Sequence, residues 1–442
     1  MKVKFEKIAL LVVSVALILG LTASLSSCSY AFGLVEEFLG DRLNGGDGTE
    51  TDDGNENGDK DDQQSDGGSE NKPGSSVGSG TSDEDKSDQG EDETLEFYPG
   101  QGSVSPESID AKNRALLSTV DIVSSFGLSP SAGSGVIYKL DKEKGDAYIV
   151  TNYHVIYNER YGMATEVKLY LYGMRYETYA IKAKIISGAE AYDIAVLKVE
   201  GSEVLKNSYA MAAELGDSET VRVFDEVYVI GNAEGYGMSV TEGIVSVDSE
   251  ELEMTGANGS AIELRVMRTS AAINKGNSGG GLYDVEGRLI GVVCAKRTGS
   301  DVDNMGYAIP VNLARNIAEN IIYFCEGGAK VGVQRPLIGI TITAKVVGLV
   351  VDEETGELVK AEQIEITELT DTCIAKDLVL VGDLVNTITV DGVTVKVTRL
   401  HHIIDHMLTA RVGSTVVLNV TRGDETLDVT FTVPESAFTS VR

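Results

Sequence analysis

Tryptophan is absent from this 442-residue chain, and histidine, cysteine and proline are scarce, at four, four and seven residues. So few cysteines, with no C-x-x-C pair, exclude a disulfide scaffold and give no zinc ribbon. Basic residues are also short: Lys and Arg number 37 against 69 Asp and Glu, a formal net charge of -32. Such a surface repels phosphate, which excludes nucleic acid and bare anionic lipid as partners. Four histidines leave an imidazole-based mechanism few places to stand. What is plentiful is apolar residue, 42% of the chain, enough for packed cores, and the length suggests two or three domains.

The N-terminus reads as an address. Lys2, Lys4 and Lys7 precede an apolar run from Ile8 to about Leu25, and small residues follow. That order is an export signal, and the run is also near the lower limit for a membrane-spanning helix. Leu25-Ser26-Ser27-Cys28 resembles the bacterial lipobox, in which the cysteine is lipidated. A lipoprotein anchored at Cys28, an uncleaved helix and free secretion all remain open, and each puts the rest of the chain outside the cytoplasm. Between Asp41 and Glu96 lie 19 acidic and 4 basic residues, with Gly, Ser, Asn, Gln and Thr making up most of the rest. A tract of that composition cannot bury enough apolar surface to offset the entropy of ordering, so it is expected to be a disordered, solvated tether. The expected layout is a signal with lipobox at 1–28, an acidic linker at 29–105, and folded domains at 106–330 and 333–436.

The first folded segment has the texture of short strands. Gly133 to Tyr138, Ala147 to Thr151, Glu166 to Tyr172, Ile194 to Val199 and Glu226 to Ile230 are rich in Val, Ile and Tyr, with turn residues between them. About 200 residues of such runs suggest a sandwich or barrels. One helix is expected after Pro310, capped by Asn312, with Leu313, Ile317, Ile321 and Phe324 on one face and Gly327-Gly328 ending it.

Three weak signals combine. His154 stands where the apolar strand Tyr148 to Thr151 gives way to a polar turn, Asp193 opens the strand Ile194 to Val199, and Ser278 is embedded in Gly276-Asn277-Ser278-Gly279-Gly280-Gly281. Serine needs a base to become a nucleophile, and the base needs a buried carboxylate to fix its tautomer. Glycines beside the serine allow backbone N–H groups to converge on an oxyanion. The order His, Asp, Ser is that of chymotrypsin-type enzymes, not of α/β-hydrolases.

Thr151-Asn152-Tyr153-His154-Val155, Asp193-Ile194-Ala195-Val196-Leu197 and Ala271-Ala272-Ile273-Asn274-Lys275-Gly276-Asn277-Ser278-Gly279-Gly280 resemble the three signature blocks of the HtrA/Deg serine proteases. The resemblance spans roughly residues 109 to 325 and implies an all-β fold, a chymotrypsin-like double β-barrel with the triad in the cleft. It implies His154 as general base, Asp193 as its orienter and Ser278 as nucleophile. Gly276, Asn277 and Ser278 would form the oxyanion loop, and Ala272, Ile273 and Asn274 the primary substrate pocket. Ala272 supplies no carboxylate, so cleavage is expected after small or medium aliphatic residues and not after Lys or Arg. Lys275 stands where the family usually has proline, and that freedom suggests an oxyanion loop able to collapse without ligand.

Arg335-Pro336-Leu337-Ile338-Gly339-Ile340 and Val381-Gly382-Asp383-Leu384-Val385 resemble a PDZ domain, so a small α+β PDZ-like body is expected to follow. Leu337, Ile338, Gly339 and Ile340 would be its carboxylate-binding loop. A helix is expected over Arg399 to Leu408. His401, His402 and His406 on it are expected to lie at the surface or along the peptide groove, not at a metal, since no fourth ligand is suitably spaced. No cofactor is expected. The resemblance implies a membrane-tethered, extracytoplasmic serine endopeptidase acting on unfolded or damaged exported proteins and C-terminal peptide segments, assembled as a homotrimer or larger. The rival reading is a catalytically inactive chaperone or signalling module working through the PDZ-like domain.

Overall fold

The structure, a computed structural model, describes residues 109–175, 177–296, 305–352 and 356–442. The export signal, Cys28 and the acidic tract lie outside the described residues. No described helix is long and apolar enough to cross a membrane.

A short helix α1 (Ala111–Leu117), capped by the Asp110 carboxylate accepting from the Asn113 N–H, leads into the first barrel. Its strands are β1 (Thr119–Phe126), β2 (Ser129–Asp141) and β3 (Asp146–Thr151), then β6 (Glu166–Leu171), β7 (Ile181–Ala189) and β8 (Ile194–Val199). They close in the order β1-β2-β3-β8-β7-β6. Between β3 and β6 lie the one-turn helix α2 (Tyr153–Ile156) and the two-residue strands β4 (Tyr157–Asn158) and β5 (Gly162–Met163). The alternation read in the sequence is what closes the barrel. Val167, Leu169 and Leu171 of β6 turn inward onto Val120, Ile122, Ile149 and Leu197, while Lys168 between them pairs outside with Glu177. Closure removes free sheet edges, and each fully buried Ile or Leu contributes about 1.5–3 kcal/mol relative to exposure.

After the one-turn helix α3 (Glu203–Lys206), the second barrel is built of β9 (Glu226–Gly231), β10 (Ser239–Thr255), β11 (Ala261–Thr269), β12 (Gly281–Tyr283), β13 (Leu289–Lys296) and β14 (Gly306–Pro310). These close as β10-β11-β14-β13-β12-β9. Helix α4 (Val311–Cys325) follows, and its Leu313, Ile317 and Ile321 pack on Val150, Ile194 and Val196 of the first barrel together with Val266, Val292 and Ile309 of the second. The helix therefore locks the angle between the barrels. Asn312 does not cap it. Pro310 occupies the cap position, and the Asn312 amide, two residues further in, donates instead to Asp217 Oδ1 at 2.7 Å. Gly327 and Gly328 end the helix at φ of 85° and 78°, which a side chain would oppose.

In the C-terminal body β15 (Val333–Pro336) pairs with the last strand, β22 (Phe438–Val441). The main sheet runs β16 (Ile340–Val351), β17 (Leu358–Leu369), β18 (Leu384–Val390), β20 (Thr415–Arg422) and β21 (Glu425–Thr432), with β19 (Val393–Lys396) also on β18. Helix α5 (Leu400–Met407) lies across it, its Ile403 and Met407 in a core with Ile364, Ile388 and Leu418. Strands β16 and β17 form a long hairpin paired out to Val351 and Leu358. Buried Asn320 of α4 joins the two bodies, its amide donating to the carbonyls of Gln334 and Leu408, both at 3.0 Å, and its Oδ1 accepting from the Gln334 N–H. Cys294, Cys325 and Cys373 are all buried, and Cys294 Sγ lies 3.6 Å from the Tyr307 carbonyl.

Candidate active site

The turn that ends β3 sets His154 in the first turn of α2, and the turn before β8 sets Asp193 beside it. Asp193 sits in the left-handed region, at φ 47° and ψ 38°. That conformation costs a non-glycine residue energy, so its surroundings must hold it there. They do: the Asn152 amide donates to the Asp193 carbonyl at 2.9 Å, and the Asp193 carboxylate accepts the His154 backbone N–H at 3.1 Å. The same carboxylate lies 3.0 and 2.9 Å from His154 Nδ1. A buried anion there keeps the proton on Nδ1 and leaves the Nε2 lone pair free to take another. Burial alone would lower the His154 pKa, but the charge of Asp193 and its hydrogen bond outweigh burial and raise it above the usual value.

Ser278 arrives from the other barrel. Its loop is stitched to the first barrel by Ser134 of β2, whose N–H donates to the Ser278 carbonyl at 2.8 Å and whose hydroxyl donates to the Gly276 carbonyl at 2.7 Å. Ser134 belongs to none of the three signature blocks; the readable signal is a serine between two glycines, Gly133 and Gly135, inside an apolar strand. The Ser278 hydroxyl faces the Cys294 carbonyl at 3.5 Å, and among the described residues it shares no hydrogen bond with His154. In substrate-free serine sites this last bond is often long and tightens only with the acyl group in place.

The oxyanion loop has a definite shape despite Lys275. The Lys275 carbonyl accepts from the Glu234 N–H at 2.6 Å, and the Asn277 N–H donates to the Asn274 carbonyl at 3.1 Å. Asn277 therefore has no N–H to offer an oxyanion, and its side chain is buried. The N–H groups of Gly276 and Ser278 donate to no acceptor among the described residues. Gly276 has φ +93°, and a Cβ there would stand 2.1 Å from the Asn232 carbonyl oxygen, so only glycine fits.

Of the three residues expected to form the substrate pocket, Ala272 and Asn274 are exposed, and the Ala272 carbonyl accepts from Thr241 Oγ1 at 2.8 Å. Ile273 is not a pocket wall. It turns inward with Met267, Leu282 and Val293, because alternation along the segment puts every second side chain in the barrel core. A cleft of about 1150 Å³ lies between the second barrel and the C-terminal body, lined by none of His154, Asp193 and Ser278. In that body Leu337 is exposed with its N–H donated to Ala437, and Ile338 packs on the core. Gly339 has φ +77° against Cys373, and Ile340 begins β16, which has β17 as its sole partner among the described strands.

The histidines of α5 are not where the sequence suggested. His402 Nε2 is 2.8 Å and His401 Nε2 3.5 Å from Glu219 Oε2, on the loop before β9. Their side chains are only 10% and 13% exposed, at the wall of the cleft and not on open surface. His406 Nε2 lies 2.9 Å from the Val393 carbonyl, and Asp405 pairs with Arg265 of β11. Glu219 was missed because nothing in its local sequence marks it.

Two closed six-stranded barrels, with a buried Asp–His pair on one and a glycine-framed serine on the other, define a trypsin-like peptidase domain. Residues 133–292 match the family model described as the trypsin-like peptidase domain. The chain is 34% identical over 232 residues to the serine protease Do-like HtrA of Bacillus subtilis (strain 168), covering 52% of this chain and 46% of that protein. It is 36% identical over 217 residues to the Do-like HtrA of Lactococcus lactis subsp. lactis (strain IL1403), 48% of each. It is 34% identical over 235 residues to the periplasmic serine endoprotease DegP of Escherichia coli (strain K12), 53% of this chain and 41% of that protein. The solved HtrA-type protease AlgW with tripeptide covers 73% of this chain and 95% of its own, at 26% identity and a TM-score of 0.49. The chain spans about half the length of the curated relatives it matches. Over its trypsin-like domain the chain is similar to HtrA-type and Deg-type serine proteases.

Proposed function

We propose that this protein is an extracytoplasmic serine endopeptidase that cleaves unfolded or damaged exported proteins through an acyl-enzyme. The observation that carries the reading is the buried Asp193 carboxylate on His154 Nδ1, the contact that orients a general base. In this reading His154 takes the proton of Ser278 as its oxygen attacks the scissile carbonyl, and returns it to the leaving amine. The unengaged N–H groups of Gly276 and Ser278 receive the oxyanion. Water then repeats the sequence on the acyl-enzyme. A fluorophosphonate probe tests this directly: it should label Ser278 stoichiometrically and leave a Ser278→Ala protein unlabelled. Absence of label on the folded parent protein would favour the inactive chaperone or signalling reading.

Selectivity follows from what the pocket lacks. Ala272 is exposed near the serine loop and offers no anion, so a buried Lys or Arg of the substrate would go unpaired. Peptide libraries should be cleaved mainly after Val, Ala or Ile; dominant cleavage after Arg would refute the assignment.

The C-terminal body supports a peptide-capturing role of the PDZ type. Its edge strand β16 borders α5, and the N–H groups of Ile338 and Gly339 donate to no acceptor among the described residues, as a loop receiving a terminal carboxylate requires. With the lipobox at Cys28 or an uncleaved helix as anchor, the acidic linker would hold this unit away from the membrane. The resemblance of its signature blocks to the HtrA/Deg proteases implies a homotrimer or larger assembly.

A further inference from the structure

The seam between the second barrel and the C-terminal body carries a cluster that proteolysis does not use. We infer that Glu219, His401 and His402 bind a divalent transition metal of the zinc kind, which staples the loop before β9 to helix α5. Each residue presents one ligand atom, and the three atoms lie within 4.8 Å of one another. Ligands about 2.0–2.1 Å from a tetrahedral ion stand about 3.3 Å apart. The separations from Glu219 Oε2 to the two Nε2 atoms, 2.8 and 3.5 Å, bracket that figure, so small side-chain rotations seat an ion. Two imidazoles and one carboxylate suit zinc, cobalt, nickel or copper and disfavour calcium and magnesium, which prefer all-oxygen shells.

The surroundings prepare His402 for this role. Its Nδ1 lies 3.0 Å from the Lys396 carbonyl and 3.2 Å from the Thr398 N–H. With the ring proton on Nδ1, donated to Lys396, the Nε2 lone pair faces the Glu219 oxygen at 2.8 Å, and two acceptors so close repel unless a cation sits between them. In the other tautomer Thr398 donates to Nδ1 and Nε2–H donates to Glu219, which is the metal-free arrangement. The backbone of β19 and the residues after it serves both forms, so the ion can enter as the ring proton moves from Nε2 to Nδ1. The first turn of α5 is held by the Leu400 N–H donating to Glu362 Oε2 at 2.8 Å, which fixes both histidines relative to the sheet. The trio opens on the cleft of about 1150 Å³, which gives an ion a way in and leaves room for water as the fourth ligand.

The full-length, untagged chain carrying Ser278→Ala tests the site without self-digestion and without reference to activity. Stripped with chelator and titrated with Co²⁺, it should bind one ion per chain with the visible absorption of tetrahedral cobalt, displaced by Zn²⁺ but not by Mg²⁺. Glu219→Gln, which keeps the shape of the side chain, and His402→Ala should each weaken binding about a hundredfold. His406→Ala should leave it unchanged. Circular dichroism confirms that each variant is folded. No tetrahedral band in the parent, or a band of equal affinity in folded Glu219→Gln and His402→Ala, overturns the assignment and leaves a plain histidine–carboxylate contact.

Discussion

Replacing Ser278 by alanine should lower peptide-bond hydrolysis by about 10⁶-fold, and replacing His154 by alanine should cost nearly as much. The two losses should not add. A nucleophile without its base and a base without its nucleophile both leave only binding and the oxyanion donors, so the double variant should be no slower than either single one. That non-additivity separates a catalytic unit from two independently useful residues, whose losses would multiply. Neither change should disturb the fold. Ser278 is part of a loop fixed by the backbone and by Ser134, and His154 is half exposed at the cleft. Digestion of casein, followed with thermal melts of the same proteins, makes the comparison. Residual hydrolysis within tenfold of the parent in Ser278→Ala, or a double variant far slower than both, would remove the acyl-enzyme from the account.

The candidate residues His154, Asp193 and Ser278 are legible because each sits in a motif whose chemistry is local. A strand end presents a histidine, a turn presents an aspartate, and glycines frame a serine. Strand texture gave the barrels for the same reason: alternation decides burial within a few residues, as at Val167, Leu169 and Leu171. The missed features are those set by partners distant in the chain. Ser134 acts on Gly276 across 142 residues, and Glu219 meets His402 across 183. The resemblance implies a pocket role for Ile273, but the side chain's burial in the barrel core is set by the strand pleat. Asn312 reads as a cap for a helix beginning at Leu313, but the helix begins two residues earlier at Val311, and Asp217, which takes the Asn312 amide, is 95 residues upstream.

The second large effect concerns the joint between the two bodies. Arg265 of β11 and Asp405 of α5 form an ion pair with side chains only 7% and 12% exposed, and the Asp405 carbonyl also accepts from the Asn316 amide at 3.0 Å. Breaking such a pair from one side strands a charge away from water and should cost about 3–5 kcal/mol. The two sides differ in pH dependence. Burial pushes the Asp405 carboxyl up to about 6 from its ordinary 3.8, with Arg265 opposing the rise. A carboxyl raised on folding contributes stability that is fully present below pH 3.8 and lost as pH increases through about 6. In Arg265→Met the opposing cation is gone and the carboxyl titrates higher still. The loss should then be large at pH 8 and much smaller at pH 5, where Asp405 takes up a proton and becomes neutral. In Asp405→Leu the stranded group is a guanidinium that stays charged at both values, so acid should bring no relief. The double variant Arg265→Met/Asp405→Leu should recover most of the stability, since an apolar pair of similar volume replaces the ions. Urea unfolding at pH 5 and pH 8 measures all three proteins. A loss in Arg265→Met that is equal at the two pH values, or a double variant as unstable as either single one, would show that the joint is held by packing around α4 and not by this pair.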